Sequence, residues 1–220
     1  MHRVFHGRKS APFRAVNGNT QLVTLPESGK CLDLVQMKLN CLTFAIAGLC
    51  FGSLLNAQSA GIDAGLLAKA TAGDQAAQVS VGDKFAAGVE VPQDLKQAVE
   101  WYRKAADQGS AAGELDLADA YRDGRGVVRD KVLAAEWYLK AAEQGNSSAQ
   151  GTLAMLYVMG LGVPKNDGEA YYWLDLAAAV KSPRQDQYAA NRQSVGTRIT
   201  VDELQVVQER AAKWKAAHLR

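Results

Sequence analysis

Val99-Glu-Trp-Tyr-Arg-Lys-Ala-Ala-Asp-Gln-Gly109 returns as Ala135-Glu-Trp-Tyr-Leu-Lys-Ala-Ala-Glu-Gln-Gly145, and a more worn copy reads Tyr171-Tyr-Trp-Leu-Asp-Leu-Ala-Ala-Ala179. Trp101, Trp137 and Trp173 therefore stand 36 residues apart. A fixed period of that size marks an array of repeats, each too small to bury its apolar face without its neighbours.

Working outward, each copy follows a segment with apolar and small residues at helical spacing. These are Ala77, Val81, Gly82 and Phe85 in the first unit, and Gly113, Leu117, Ala118 and Tyr121 in the second. The third unit has Ala149, Leu153, Ala154 and Tyr157. Each such helix, A, should end at Gly88, Gly124 or Gly160, because glycine accepts the left-handed conformation that closes a helix. Asp94, Asp130 and Asn166 then suit the N-cap of a second helix, B, which carries the tryptophan motif. Gln97 and Glu169 stand where a reciprocal capping box would place them. Glu100 precedes Lys104, and Glu136 precedes Lys140, by the four residues that favour ion pairs along a helix. The three tryptophans are expected in the core.

The array predicts an all-α fold, a right-handed α/α superhelical solenoid of helix–turn–helix units. Its expected parts are an N-terminal capping helix in 60–73, repeats at 74–109, 110–145 and 146–181, and a degenerate C-terminal capping helix pair in 182–220. Within that pair a helix should start at Ser182-Pro183, and Thr200 and Glu203 should form a capping box opening the last helix.

Ahead of the repeats, Met37-Lys38 leads into an apolar run from Cys41 to Leu55 and then small residues from Asn56 to Ala60. A basic start, an apolar core too short to span a membrane and a small-residue end describe a secretory signal peptide over 37–59. An uncleaved anchor is the rival reading. Residues 1–36 lack sustained periodicity; they read as an upstream extension that is not native, the rival being a disordered leader. The expected location is periplasmic or secreted. Cys31, Cys41 and Cys50 all fall before the expected mature chain, which excludes a disulfide framework there.

Charge and chemistry narrow the function. Residues 1–38 hold six basic and two acidic groups of the chain's 25 and 23, leaving a body with 19 basic and 21 acidic groups. That near-neutral body gives no electrostatic case for nucleic acid. His2 and His6 precede the signal peptide and His218 is near the C-terminus, so the usual Ser–His, Cys–His and metal constellations have no members. No cofactor motif is present. Carboxylates at Asp83, Glu114, Asp116, Asp119 and Asp123 remain, and paired carboxylates are the chemistry of glycoside hydrolysis.

The motifs Ala-x-x-x-Leu-Ala/Gly-x-x-Tyr, Gly-x-Gly-Val-x-x-Asp and Ala-x-x-Trp-Tyr-x-Lys-Ala-Ala-x-Gln-Gly resemble the Sel1-like repeat (SLR) family of the tetratricopeptide superfamily. Unit one departs at Glu90, which stands where the later units have Gly126 and Gly162. The resemblance implies a non-catalytic adaptor that holds an unidentified protein or peptide on its A-helix face, in an envelope role. An envelope hydrolase acting on polysaccharide or peptidoglycan, through Asp116 or Asp119, is the alternative. Partner-facing positions are expected at Ser80, Asp83 and Lys84, at Asp116, Asp119 and Arg122, and at Thr152, Met155 and Val158. The first two triplets are polar; Met155, Leu156, Val158 and Met159 should make the third end apolar, unless it packs under the C-terminal helices.

Overall fold

The computed structural model describes residues 61–219. The expected extension and signal peptide lie outside the described residues. The described chain is a run of antiparallel helices: α1 (Ala64–Thr71), α2 (Gln75–Ala87), α3 (Leu95–Asp107), α4 (Ala111–Asp123), α5 (Lys131–Glu143), α6 (Ser147–Met159), α7 (Asp167–Ala179), α8 (Gln185–Gly196) and α9 (Val201–His218). Among the described residues no helix is long and apolar enough to cross a membrane.

Each unit repeats because its ends repeat. The A helices α2, α4 and α6 open on Asp74, Ser110 and Asn146, whose side chains accept a backbone N–H of the first turn. The B helices α3, α5 and α7 open in the same way on Asp94, Asp130 and Asn166. Each A helix closes on a left-handed glycine, at Gly88, Gly124 and Gly160. Each A helix packs on its own B helix, each B helix on the next A, and α1 on α2. The buried apolar residues thus form one continuous core from Ile62 to Ala211. This is a helical repeat solenoid.

A polar ladder runs beside that core at the same period. Gln78 Nε2 donates to the Ala70 carbonyl at 3.1 Å and Gln150 Nε2 to the Ala142 carbonyl at 3.0 Å, tying A helices to the preceding helix end. Glu114 holds the equivalent position in unit two and accepts from Gln144 Nε2 at 2.6 Å. A second tie joins A to B inside a unit: the Tyr102 hydroxyl donates to Asp83 at 2.8 Å, and that of Tyr138 donates to Asp119. In unit three Met155 and Leu174 hold these positions, so the polar clasp has no counterpart there.

Several local expectations change. Trp101 and Trp173 are buried, but Trp137 is half-buried, and the fully buried aromatic of α5 is Tyr138. Neither Glu100–Lys104 nor Glu136–Lys140 pairs. Lys104 instead lies 3.8 Å above the Trp101 ring and Lys140 3.6 Å above Trp137, where the ammonium meets the negative face of the indole. Glu169 does not close a capping box; its carboxylate pairs with Arg210 at 2.5 Å. The reciprocal box forms at Thr200 and Glu203. Glu90 adopts a φ of +69°, close to the +76° of Gly126 and Gly162, so the turn keeps its shape in unit one.

The C-terminal helices depart from the repeat. Helix α8 begins at Gln185, beyond Ser182-Pro183, and Gly196 remains helical. Helix α9 lies against α7 and does not pair with α8. The junction is Asp175, 6% exposed, which pairs with Arg192 of α8 at 2.6 Å and Lys215 of α9 at 2.8 Å.

Candidate functional site

The A helices expose a groove of 360 Å³ lined by Leu115, Asp119 and Arg122 of α4, Ser148 and Thr152 of α6, and Ser182, Pro183, Arg184 and Tyr188 at the start of α8. Spacing explains the α6 contribution, since Ser148, Thr152, Met155 and Met159 recur at the three- and four-residue steps of one helix face. The α8 contribution depends on Gly151. A Cβ there would come within 2.2 Å of the Tyr188 ring, so glycine lets Tyr188 pack flush on α6.

Three of the nine expected positions meet in this groove: Asp119, Arg122 and Thr152. The others are distributed along the A helices. Ser80 is exposed and bonds the Ala76 carbonyl of its own helix. Lys84 is engaged by Glu90 at 2.6 Å. Asp83 is exposed but serves the Tyr102 clasp. Met155 is 38% exposed, so the C-terminal helices leave it open, as they do Met159 at 52%. Val158 is half-buried against the core, and Leu156, expected on the apolar surface, is buried in it.

Arg122 is less available than its position suggests. It grips Asp123 with two bonds of 2.8 Å, pairs with Asp119 at 2.7 Å and donates to the Tyr138 hydroxyl at 2.7 Å. These anions and the phenol hold the guanidinium firmly charged, chiefly through Asp123, while Arg122 draws the Asp123 carboxyl below the usual range. Asp119, Arg122 and Tyr138 are therefore a structural cluster at the groove wall. Leu115, Ser148, Arg184 and Tyr188 are lining residues that the sequence reading missed. The period could have supplied Ser148, one unit after Ala112, whereas Tyr188 belongs to the helix that breaks the period.

Asp116 is partly buried in a smaller recess of 90 Å³ with Tyr102, Asp119 and Arg125. Burial, and then the nearby Asp83 and Asp119 carboxylates, push its carboxyl up to about 7. Asp116 thus stands in a space well under the roughly 300 Å³ at which small-molecule sites begin, while Asp119 also borders the larger groove. Among the described residues no group of His, Cys, Asp and Glu is arranged to hold a metal.

The family model for the Sel1 repeat matches three times, at 75–110, 111–146 and 147–180. The chain carries three Sel1 repeats. Solved structures agree. A Sel1 repeat protein from Oxalobacter formigenes is 34% identical, over 54% of this chain and 48% of its own, with a TM-score of 0.52. The SLR-fold protein c5321, a protective antigen present in uropathogenic Escherichia coli strains, is 33% identical, over 69% of this chain and 32% of its own, with a TM-score of 0.61. The chain spans less than half the length of either. No curated protein matches it. Sel1 repeats generally mediate protein interactions, and no catalytic family is indicated.

Proposed function

We propose that this Sel1 array is an exported, non-catalytic adaptor that takes a peptide or amphipathic helix of a partner protein along its A-helix face. The observation that carries the reading is one face of α6: it lines the α4–α6–α8 groove through Ser148 and Thr152 and, at the next helical steps, exposes Met155 and Met159. Methionine is unbranched and polarizable, and adapts to varied apolar side chains. Beside it the groove offers hydroxyls at Ser148 and Thr152 and an exposed cation at Arg184. An apolar strip with a polar flank suits the two sides of an amphipathic segment.

The test is quantitative capture of partners from native envelope extracts by the wild-type protein and by Thr152→Arg and Met155→Glu/Met159→Glu variants. These positions are at least partly exposed, so the variants should melt like the wild type and lose the specific partner. Asp83 and Asp119 are unsuitable probes, because each replacement would break a tyrosine clasp. Retention of every wild-type partner by correctly folded variants would remove the groove from the account. Export rests on the apolar run from Cys41 to Leu55 and is tested separately by N-terminal sequencing of the native protein. A native species beginning at Met1 would contradict it.

A further inference from the structure

A cavity of 560 Å³ opens on the B-helix side and shares no residue with the A-helix groove. Its size lies in the range of small-molecule sites, about 300–1,000 Å³. The walls come from Leu139 and Glu143 of α5, Tyr157 of α6, the Pro164–Asn166 turn, Glu169, Tyr172 and Trp173 of α7, and Arg210 and Trp214 of α9.

One substitution in the repeat helps to create this space. One period earlier, Arg103 lies over the Tyr121 ring and donates to its hydroxyl. In the next unit Leu139 stands in place of that arginine, and Tyr157, the counterpart of Tyr121, lines the cavity. Helix α9 supplies the far wall.

The polar groups show what the cavity is suited to hold. Arg210 is satisfied, paired with Glu169 and stacked 3.8 Å over Tyr172. Trp173 is 3% exposed, yet its indole N–H has no acceptor among the described residues. Leaving a buried donor unpaired costs about 1–3 kcal/mol. Glu143 and Lys165, both exposed and on different elements, form no ion pair among the described residues. With Glu169 and Arg210 neutralising each other, one carboxylate and one ammonium remain. Flat stacking of a sugar is disfavoured, because Arg210 covers one face of Tyr172 and His218 covers one face of Trp214 at a centroid distance of 4.2 Å.

We propose that this cavity is a binding site for a short zwitterionic peptide. The peptide ammonium meets Glu143, its carboxylate meets Lys165, and a peptide carbonyl gives the Trp173 N–H its acceptor. The site is independent of the adaptor groove.

Calorimetric titration of the full chain with trialanine, N-acetyl-trialanine, trialanine amide and cellobiose tests it. Trialanine should bind saturably, and capping either terminus should weaken binding about tenfold, as expected for loss of one charge-assisted hydrogen bond. Glu143→Gln and Lys165→Ala should weaken it similarly without lowering the melting temperature. Leu139→Arg should fill the cavity, as Arg103 does in the preceding unit, and abolish binding; Thr152→Arg in the groove should leave it unchanged. Absence of saturable trialanine binding, equal affinity for the capped peptides, or preference for cellobiose would overturn the proposal.

Discussion

Two residues carry costs that the repeat does not require. Glu90 holds a left-handed φ of +69°, which L-residues adopt at a cost of about 1–2 kcal/mol. Replacing it with glycine relieves that strain but frees the unfolded chain and removes the partly exposed Lys84 ion pair, a contact worth about 0–1 kcal/mol. Glu90→Gly should therefore gain roughly 0.5 kcal/mol in urea unfolding; a loss would mean that the Lys84 contact outweighs the backbone. Asp116 is the second case, facing Asp83 of α2, Tyr102 of α3, its own-helix neighbour Asp119 and Arg125. Its ordinary value of 3.8 rises to about 7 in the fold, so the folded state binds the proton more tightly. Its contribution to stability is fully present below pH 3.8 and is lost as the pH climbs through 7. Asp116→Asn should accordingly stabilise the protein at pH 8 by about 2 kcal/mol, half of what the full shift would carry, because water reaches part of the side chain. The gain should fade toward pH 4. Equal gains at both pH values would show that the charge on Asp116 is not the source.

At the scale of elements, the ties between helices differ along the array. Units one and two clasp A to B through Tyr102–Asp83 and Tyr138–Asp119, whereas unit three has the apolar Met155 and Leu174 at those positions. From sequence Asp83 and Asp119 read as facing a partner and this clasp is missed, since a hydroxyl meeting a carboxylate 19 positions away leaves no local signature. Asp175 is the extreme case. It occupies the position of Arg103 and Leu139, solvent-side in the repeat pattern, yet α8 and α9 close over it. Its two cationic partners are each about a third exposed and can return to water when the carboxylate is removed. Asp175→Asn should therefore cost about 2 kcal/mol, below the 3–5 kcal/mol expected for breaking a fully buried pair. Amide exchange should quicken first in α8 and α9, and exchange unchanged there would show that Asp175 does not hold the two helices.

For the whole molecule, legibility follows the physics of repetition. Residues 74–181 could be read because the same apolar slots, caps and glycine turns recur three times, so each copy checks the others. After Ala179 the Thr200–Glu203 box that opens the last helix could still be read, but not how the last two helices pack, because that packing answers to one end of the array. Tyr188 fills space left by Gly151, and α9 lies on α7 through Ala211, which is fully buried. The A-helix face was legible as a surface, but not which of its charges were already engaged by tyrosines and arginines of the same chain. In such an array each unit contacts only its neighbours, so damage at one end should stay local. Ala211→Asp places an unpaired carboxylate between α9 and α7, where burying it would cost several kcal/mol, and α9 should detach instead. Hydrogen exchange should then show lost protection in α9 and α7, with α1 to α5 retaining theirs, and the trialanine cavity should disappear with its α9 wall. Uniform loss of protection from α1 onward would instead mean that α9 stabilises the whole array cooperatively.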